Sequence, residues 1–285
     1  MNNNLEPSSP SIPYSKSPVW NDMTRAAIST VSSTIATTPL FNLQNCFING
    51  RSMQWGLRSL YIGNVSNLIA FTGNLGLSNI SQGFLIRTGE KYDLKHRGIK
   101  EVVVPLTSGS VGACGALTGE IFMVVAKKTN WSFFRVIQEI IKQKKPSMLV
   151  IGASPTILRD SIAIGAALGP ASKIKSYLKK QWNLDSTQAI IASSIFTGIA
   201  TAVITQPFQV IRVVIQDSAV KEVKNQPHHF QLCPAKRLTA TQAVTKLWKV
   251  NSWKSMFRGL TPRSLIGVVI TGCQVVTDEY FPVQK

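Results

Sequence analysis

"TQPFQVIRVVIQ", residues 205–216, sets Pro207 inside a run as apolar as a membrane span and follows it with Gln209, Arg212 and Gln216. Proline removes a backbone donor and bends a helix, so the stretch marks a kink with polar groups gathered just past it. Upstream, no Asp, Glu, Lys or Arg occurs from 186 to 211, and a helix needs about 20 residues to cross a bilayer. Comparable charge-free tracts cover residues 26–50, 59–86 and 102–119, and two shorter ones, 146–158 and 264–277, border Arg159, Asp160 and Asp278. Soluble helices of such length normally carry a charged face. The pattern therefore predicts an all-α membrane protein with six spans.

Only 15% of the 285 residues are charged, yet 31 Lys and Arg face 13 Asp and Glu, for a net charge of +18. That excess suits an anionic partner. Its position narrows the choice, because most of it lies in the polar connections that follow the first, third and fifth spans, from Arg51 to Arg58, Lys127 to Lys145 and Lys221 to Arg258. The positive-inside tendency then places these loops on one face and both termini on the other. "WSFFRVIQEIIKQ" (131–143) and "TATQAVTKLWKV" (239–250) space their apolar residues as short amphipathic helices lying along that face. Membrane topology and anionic lipid account for the basic excess, and no nucleic-acid partner is expected.

Catalytic and metal patterns are missing. Cys46, Cys114, Cys233 and Cys273 lie far apart and form neither a disulfide frame nor a zinc set. "GSVGACG" (109–115) follows no strand, so it is no dinucleotide fingerprint, and neither HExxH nor a phosphate-binding loop occurs. His228 and His229 are adjacent in a loop and read as solvated. No metal, no cofactor and no enzyme activity are expected. The first 18 residues are polar and Pro/Ser-rich, with no cleavable leader, and read as a disordered tail.

The chain repeats itself. Aligning "SSIFTGIATAVITQPFQVIRVVIQ" on "GSVGACGALTGEIFMVVAKKTN" superposes Gly198 on Gly112 and Pro207 on Ile121, and the first span brings Pro39 to the same column. Downstream, "LYIGN", "LVIGA" and "MFRGL" place glycine landmarks at Gly63, Gly152 and Gly259, each before a polar or proline-bearing helix start. The unit is helix, polar segment, glycine, helix, three times over. Repeats of 19–98, 99–182 and 183–285 follow the tail 1–18, with an insertion near 217–240 in the third. Only 24 residues separate Pro39 from Gly63, against 52 from Pro207 to Gly259. Small residues four apart, as in Ser108/Gly112, Ser194/Gly198 and Gly165/Gly169, mark close helix contacts.

A proline near the end of each odd helix, spaced polar residues beyond it, and an aromatic-x-Gly landmark before each even helix together resemble the mitochondrial carrier family. The resemblance runs from about Val19 to the C-terminus, and "FRGLTPRSL" and "LYIGNVSNLIA" are its most specific pieces. It implies a monomeric, multi-pass exchanger of the mitochondrial inner membrane, working by alternating access, with anionic lipid such as cardiolipin at the landmarks Gly63, Gly152 and Gly259. It also implies a gate of ion pairs after the prolines. Here Pro207, Arg212 and Gln216 match, but Gln209 takes the acidic place. In repeat one Pro39 stands with Phe41 and Gln44, and in repeat two only Lys128 keeps a basic place. The even-helix gate leaves only Lys175 and Asp278. Gates without their ion-pair ring, with hydrogen bonds from Gln44 and Gln209 instead, predict transport less strictly tied to exchange.

The family's substrate contacts fall about two turns into the even helices, which gives Ala70, Arg159 and Ile266. Arg159 is the candidate for an anionic group and Asp160 for an amine, or the two form an ion pair to another helix. Asn67, Asn74 and Gln274 add cavity polarity, while Arg263 reads as structural. "GNVSN" (63–67) resembles the start of the second helix in adenine-nucleotide carriers, which favours ATP/ADP; "RD" at 159–160 resembles amino-acid carriers, which keeps an amino acid or other small metabolite as the alternative. A transport-inactive scaffold is the rival class. Divergence of this extent also fits a gene of an intracellular bacterium or parasite whose product reaches host mitochondria.

Overall fold

A computed structural model describes residues 18–49, 56, 60–61, 64–91, 97–129, 131–222, 230–233 and 237–281. Helix α1 spans Pro18–Asn49. The second helix is α2 (Asn64–Phe71), a π-helical turn at Thr72–Gly76 and α3 (Leu77–Lys91) in succession. Then come α4 (Arg97–Thr129), the short α5 (Phe133–Lys142), a 3-10 turn at Pro146–Val150, α6 (Ala153–Leu168) and α7 (Pro170–Trp182). The last third holds α8 (Ser186–Ser218), a hairpin of β1 (Val220–Glu222) and β2 (Phe230–Leu232), α9 (Ala240–Asn251), a 3-10 turn and α10 (Leu260–Tyr280). Pro18 is the first helical residue, a place proline suits because its missing N–H has no intrahelical role there; the remaining residues of the expected tail, 1–17, lie outside those described.

The long helices follow one another around a closed ring. Helix α1 packs on the α2–α3 stretch, that stretch on α4, α4 on α6, α6 on α8, α8 on α10, and α10 back on α1. Amphipathicity along them is inverted. On α8, Ile191, Ile195, Ile199 and Val203 face outward, while Ser194, Thr197, Thr201, Thr205, Gln209 and Arg212 are buried in the ring. Apolar outside and polar inside is the arrangement of a membrane protein with a polar centre. Residues Pro146–Trp182, Ser186–Ser218 and Ser252–Tyr280 are long and apolar enough to cross a membrane, and Val102–Leu117 with Gly119–Ala126 make a fourth, bent stretch. Among the described residues α1 and α2–α3 are less apolar, carrying Asp22, Arg25 and Arg87 toward the interior.

Small residues set the spacing. A Cβ on Gly198 would stand 2.4 Å from the Val268 nitrogen, and one on Gly119 would stand 2.5 Å from the Ala70 nitrogen, so only glycine lets these backbones touch. In repeat two Ile121 replaces the proline, yet α4 still bends by 46° between its two segments, beside Gly115 and Gly119, glycines being a known locus of kinks. The expected surface helices form, and their starts explain why: Ser132 accepts from the Arg135 nitrogen at 3.4 Å, and Thr239 with Gln242 builds a capping box at α9. Beneath α5 an apolar core joins Ile121, Val125, Val136 and Ile140 to Ile215, Val220 and Leu232. The insertion thus includes a hairpin docked on repeat two, where Leu232 N–H donates to Gln143 Oε1 at 3.1 Å.

Gly152 and Gly259 precede α6 and α10 with φ of 79° and 76°, a region that side chains strain to enter. Each sits against a glutamine of an odd helix, Gly152 on Gln216 and Gly259 on Gln44. Gly63 lies outside the described residues, as do His228 and His229. The boundary at 98/99 falls just inside α4, whose first turn begins at Arg97.

Candidate substrate cavity

The ring closes on a cavity of about 40 Å³, room for a few waters in this conformation. Asn67, Asn74, Glu120, Arg159, Asp160, Thr201 and Arg263 line it among Phe41, Phe71, Met123 and Ile164. The π-helical turn explains one of these placements: it re-aims Asn74, whose Nδ2 donates to Asp160 Oδ2 at 3.0 Å. Arg159 is fully engaged. Its Nε donates to Asp160 Oδ1 at 2.5 Å and its Nη1 to Gln209 Oε1 at 2.5 Å, while Nη2 pairs with Glu120 Oε1.

Glu120 was invisible to the motif reading, and it is the centre of the site. Its Oε2 accepts from Thr156 Oγ1 at 3.1 Å and pairs with Arg212 Nη1. Buried charge at membrane depth is costly unless paired, and here one carboxylate on α4 pairs guanidiniums from α6 and α8. Arg263, expected to be structural, lines the same cavity. Among the described residues no carboxylate pairs with it; Nη2 reaches Thr205 Oγ1 at 3.4 Å and Nε has no partner.

Past the prolines, at the loop end, the gate differs from expectation. Gln44 Nε2 donates to Gln206 Oε1 at 3.1 Å, and Gln209 Nε2 to Gln44 Oε1 at 3.5 Å. Glutamine bonds therefore do join α1 to α8. Ion pairs are not gone, however: Arg212 pairs with Glu120, and Lys128 Nζ with Asp217 Oδ1 at 3.1 Å. The acids sit outside the proline-motif columns, at the residue before Ile121 and the one after Gln216, so a search for the motif passes over them. Gln216 itself braces the second landmark, donating to the Ile151 carbonyl at 3.0 Å.

The opposite, terminal end is latched too, by partners other than those expected. Asp278 pairs with Arg25 of α1, and Arg87 Nη1 meets Asp22 Oδ2 at 2.8 Å. Lys175 pairs with Glu279, which also accepts from Ser186 Oγ at 3.0 Å. Gln274 belongs to this end: its Nε2 donates to Asn79 Oδ1 at 2.8 Å and to Asp278 Oδ1 at 3.2 Å. It is not a cavity residue. Asn67 lines the cavity but spends its Nδ2 on Thr38 Oγ1 at 2.7 Å, and that hydroxyl donates to Asn64 Oδ1 at 3.0 Å. The "GNVSN" asparagines thus clamp α2 to α1.

Residues 184–282, from the start of α8 through α10, match the family described as mitochondrial carrier protein. The match takes in the last third of the chain, which over this segment is similar to a mitochondrial carrier. No curated protein matches it significantly. Members of that family are transporters, and three described stretches of this chain, with a fourth bent one, are long and apolar enough to cross a membrane. Its α8 Pro207, the landmark Gly259 and the cavity cation Arg263 all lie within the matched segment.

Proposed function

We propose that the carrier moves a small zwitterionic metabolite of the amino-acid type across the mitochondrial inner membrane by alternating access. The observation that carries this reading is the charge of the buried cluster. Arg159, Arg212 and Arg263 face Glu120 and Asp160, which leaves one guanidinium, Arg263, without a carboxylate among the described residues. One substrate carboxylate satisfies that surplus, received by Arg263 and the neighbouring Arg159, and Asp160 stands on the cavity wall to take the amine. A nucleotide di- or triphosphate would bring several negative charges against a surplus of one. The asparagine motif that favoured ATP/ADP is occupied in holding α1 to α2.

Thermal stabilisation of the purified carrier tests the assignment, since a ligand that binds the folded state raises its melting temperature with concentration. Zwitterionic amino acids are expected to stabilise the carrier, and Asp160→Asn to abolish that effect while sparing stabilisation by simple monocarboxylates. Stabilisation by ADP or ATP and by no amino acid would overturn the assignment. The scaffold alternative requires that no solute stabilises it.

A further inference from the structure

We propose that Glu120 couples occupancy of the cavity to opening of the loop end, a role that rests on reading this cavity as the substrate site. The carboxylate is shared between two jobs. Oε1 holds Arg159, which lines the cavity; Oε2 holds Arg212, which is fully buried on α8, and is fixed by Thr156 of α6. A single side chain of α4 therefore ties α6 to α8. Arg159 extends the tie, because its Nη1 donates to Gln209 at 2.5 Å and Gln209 reaches Gln44 of α1 at 3.5 Å. The path runs from the cavity wall to the closure of α1 on α8 through contacts already in place.

In the empty carrier Glu120 fills the place beside Arg159 that a substrate carboxylate would take. A substrate carboxylate would be the third at Arg159, beside Glu120 and Asp160, and a further like charge is disfavoured in a desolvated site. Arg212 offers Glu120 the alternative. Its Nε and Nη2 have no hydrogen-bond partner, so a carboxylate drawn toward it gains donors as it leaves Arg159. Substrate binding thus exchanges one ligand of Arg159 for another, removes the Arg159 tie between α6 and α4, and loosens the Gln209 and Gln44 contacts that depend on Arg159 holding its position. Thr156, whose hydroxyl donates a hydrogen bond to Oε2 at 3.1 Å, keeps the released carboxylate on the Arg212 side.

The test measures the loop end directly, by electron-spin distances between labels at the exposed Phe47 of α1 and Val150 before α6, in carrier reconstituted in lipid nanodiscs. Glycine, the smallest zwitterion, is the probe. Without glycine the wild type is expected to show the short distance alone, and with glycine a second, longer component. Glu120→Gln and Glu120→Asp, the latter too short to span both guanidiniums, are expected to show the longer component without any ligand. If the variants open while glycine leaves the wild type closed, the coupling role stands and the zwitterion assignment fails. If either variant, with a cooperative melting transition, keeps the short distance and opens only as the wild type does, Glu120 is a structural pair and the proposal is overturned; should Glu120→Gln fail to fold, Glu120→Asp decides.

Discussion

The glutamines at the loop end are the weakest part of the gate, and restoring charge to them should slow the carrier. Gln209 Nε2 lies 3.5 Å from Gln44 Oε1 across the α1–α8 contact, a bond worth on the order of 1 kcal/mol between membrane helices. The double substitution Gln44→Lys/Gln209→Glu replaces it with opposite charges at similar separation. At an effective dielectric of about 20 their attraction is roughly 5 kcal/mol. Desolvating the new ions offsets part of that gain, which leaves a net latch stronger by about 2–3 kcal/mol, or roughly 30–150-fold in the ratio of closed to open loop end. The assay is initial uptake of labelled amino acid into liposomes with and without internal counter-substrate. Uptake into empty liposomes should fall by about that factor, and exchange should fall less, because bound substrate contributes to opening. Equal uptake by wild type and double variant in empty liposomes, at equal protein incorporation, would refute the view that these glutamines latch the gate.

Three further outcomes follow from the same geometry. Removing Arg25 by Arg25→Met leaves Asp278 and Asp22 buried near each other without their shared cation, and should lower stability by about 3–5 kcal/mol, seen as a lower melting temperature; a paired Arg25→Met/Asp278→Asn variant should recover much of the loss. Gly198→Val should place methyls against the Gly267–Val268 backbone, already 2.4 Å from an added Cβ, and cost about 1–3 kcal/mol or more by overpacking, read as poor recovery of folded protein. Thr38→Val should break the clamp to Asn64 and Asn67, lowering the melting temperature by the equivalent of about 1–2 kcal/mol with no change in which solutes stabilise the carrier; altered solute preference would show that these asparagines touch substrate.

The architecture was legible because repetition and charge-free tracts are properties of long segments. Pro39, Pro207, Gly152 and Gly259 fell where the unit required, and both surface helices announced themselves through the spacing of their apolar residues, their caps showing only in the structure. The site was legible in part. Arg159 and Asp160 stood out as a charged pair at the edge of an apolar tract, and they do line the cavity, although engaged with Glu120, Gln209 and Asn74. Glu120 escaped notice because it closes a charge-free tract and so looked like a boundary marker. Its column was informative all the same: Thr38, Glu120 and Gln206 occupy the place before the proline column in the three repeats, and each makes an interhelical contact. The partners of Arg25, Lys175 and Asp278 were beyond pattern reading, because which helices meet at the terminal end is decided by the small-residue packing of the whole ring. Gln274 was assigned to the cavity on polarity alone, and its depth along α10 places it at the terminal latch.

The most direct test of the account is uptake by reconstituted wild-type carrier of a panel of labelled solutes, comparing zwitterionic amino acids, monocarboxylates and adenine nucleotides, with Arg263→Gln beside it. Transport of one or more amino acids and little of ADP or ATP is expected, with loss of that transport in Arg263→Gln, whose guanidinium has no carboxylate partner among the described residues. Transport of adenine nucleotides with amino acids excluded, or amino-acid transport unchanged in Arg263→Gln, would contradict it.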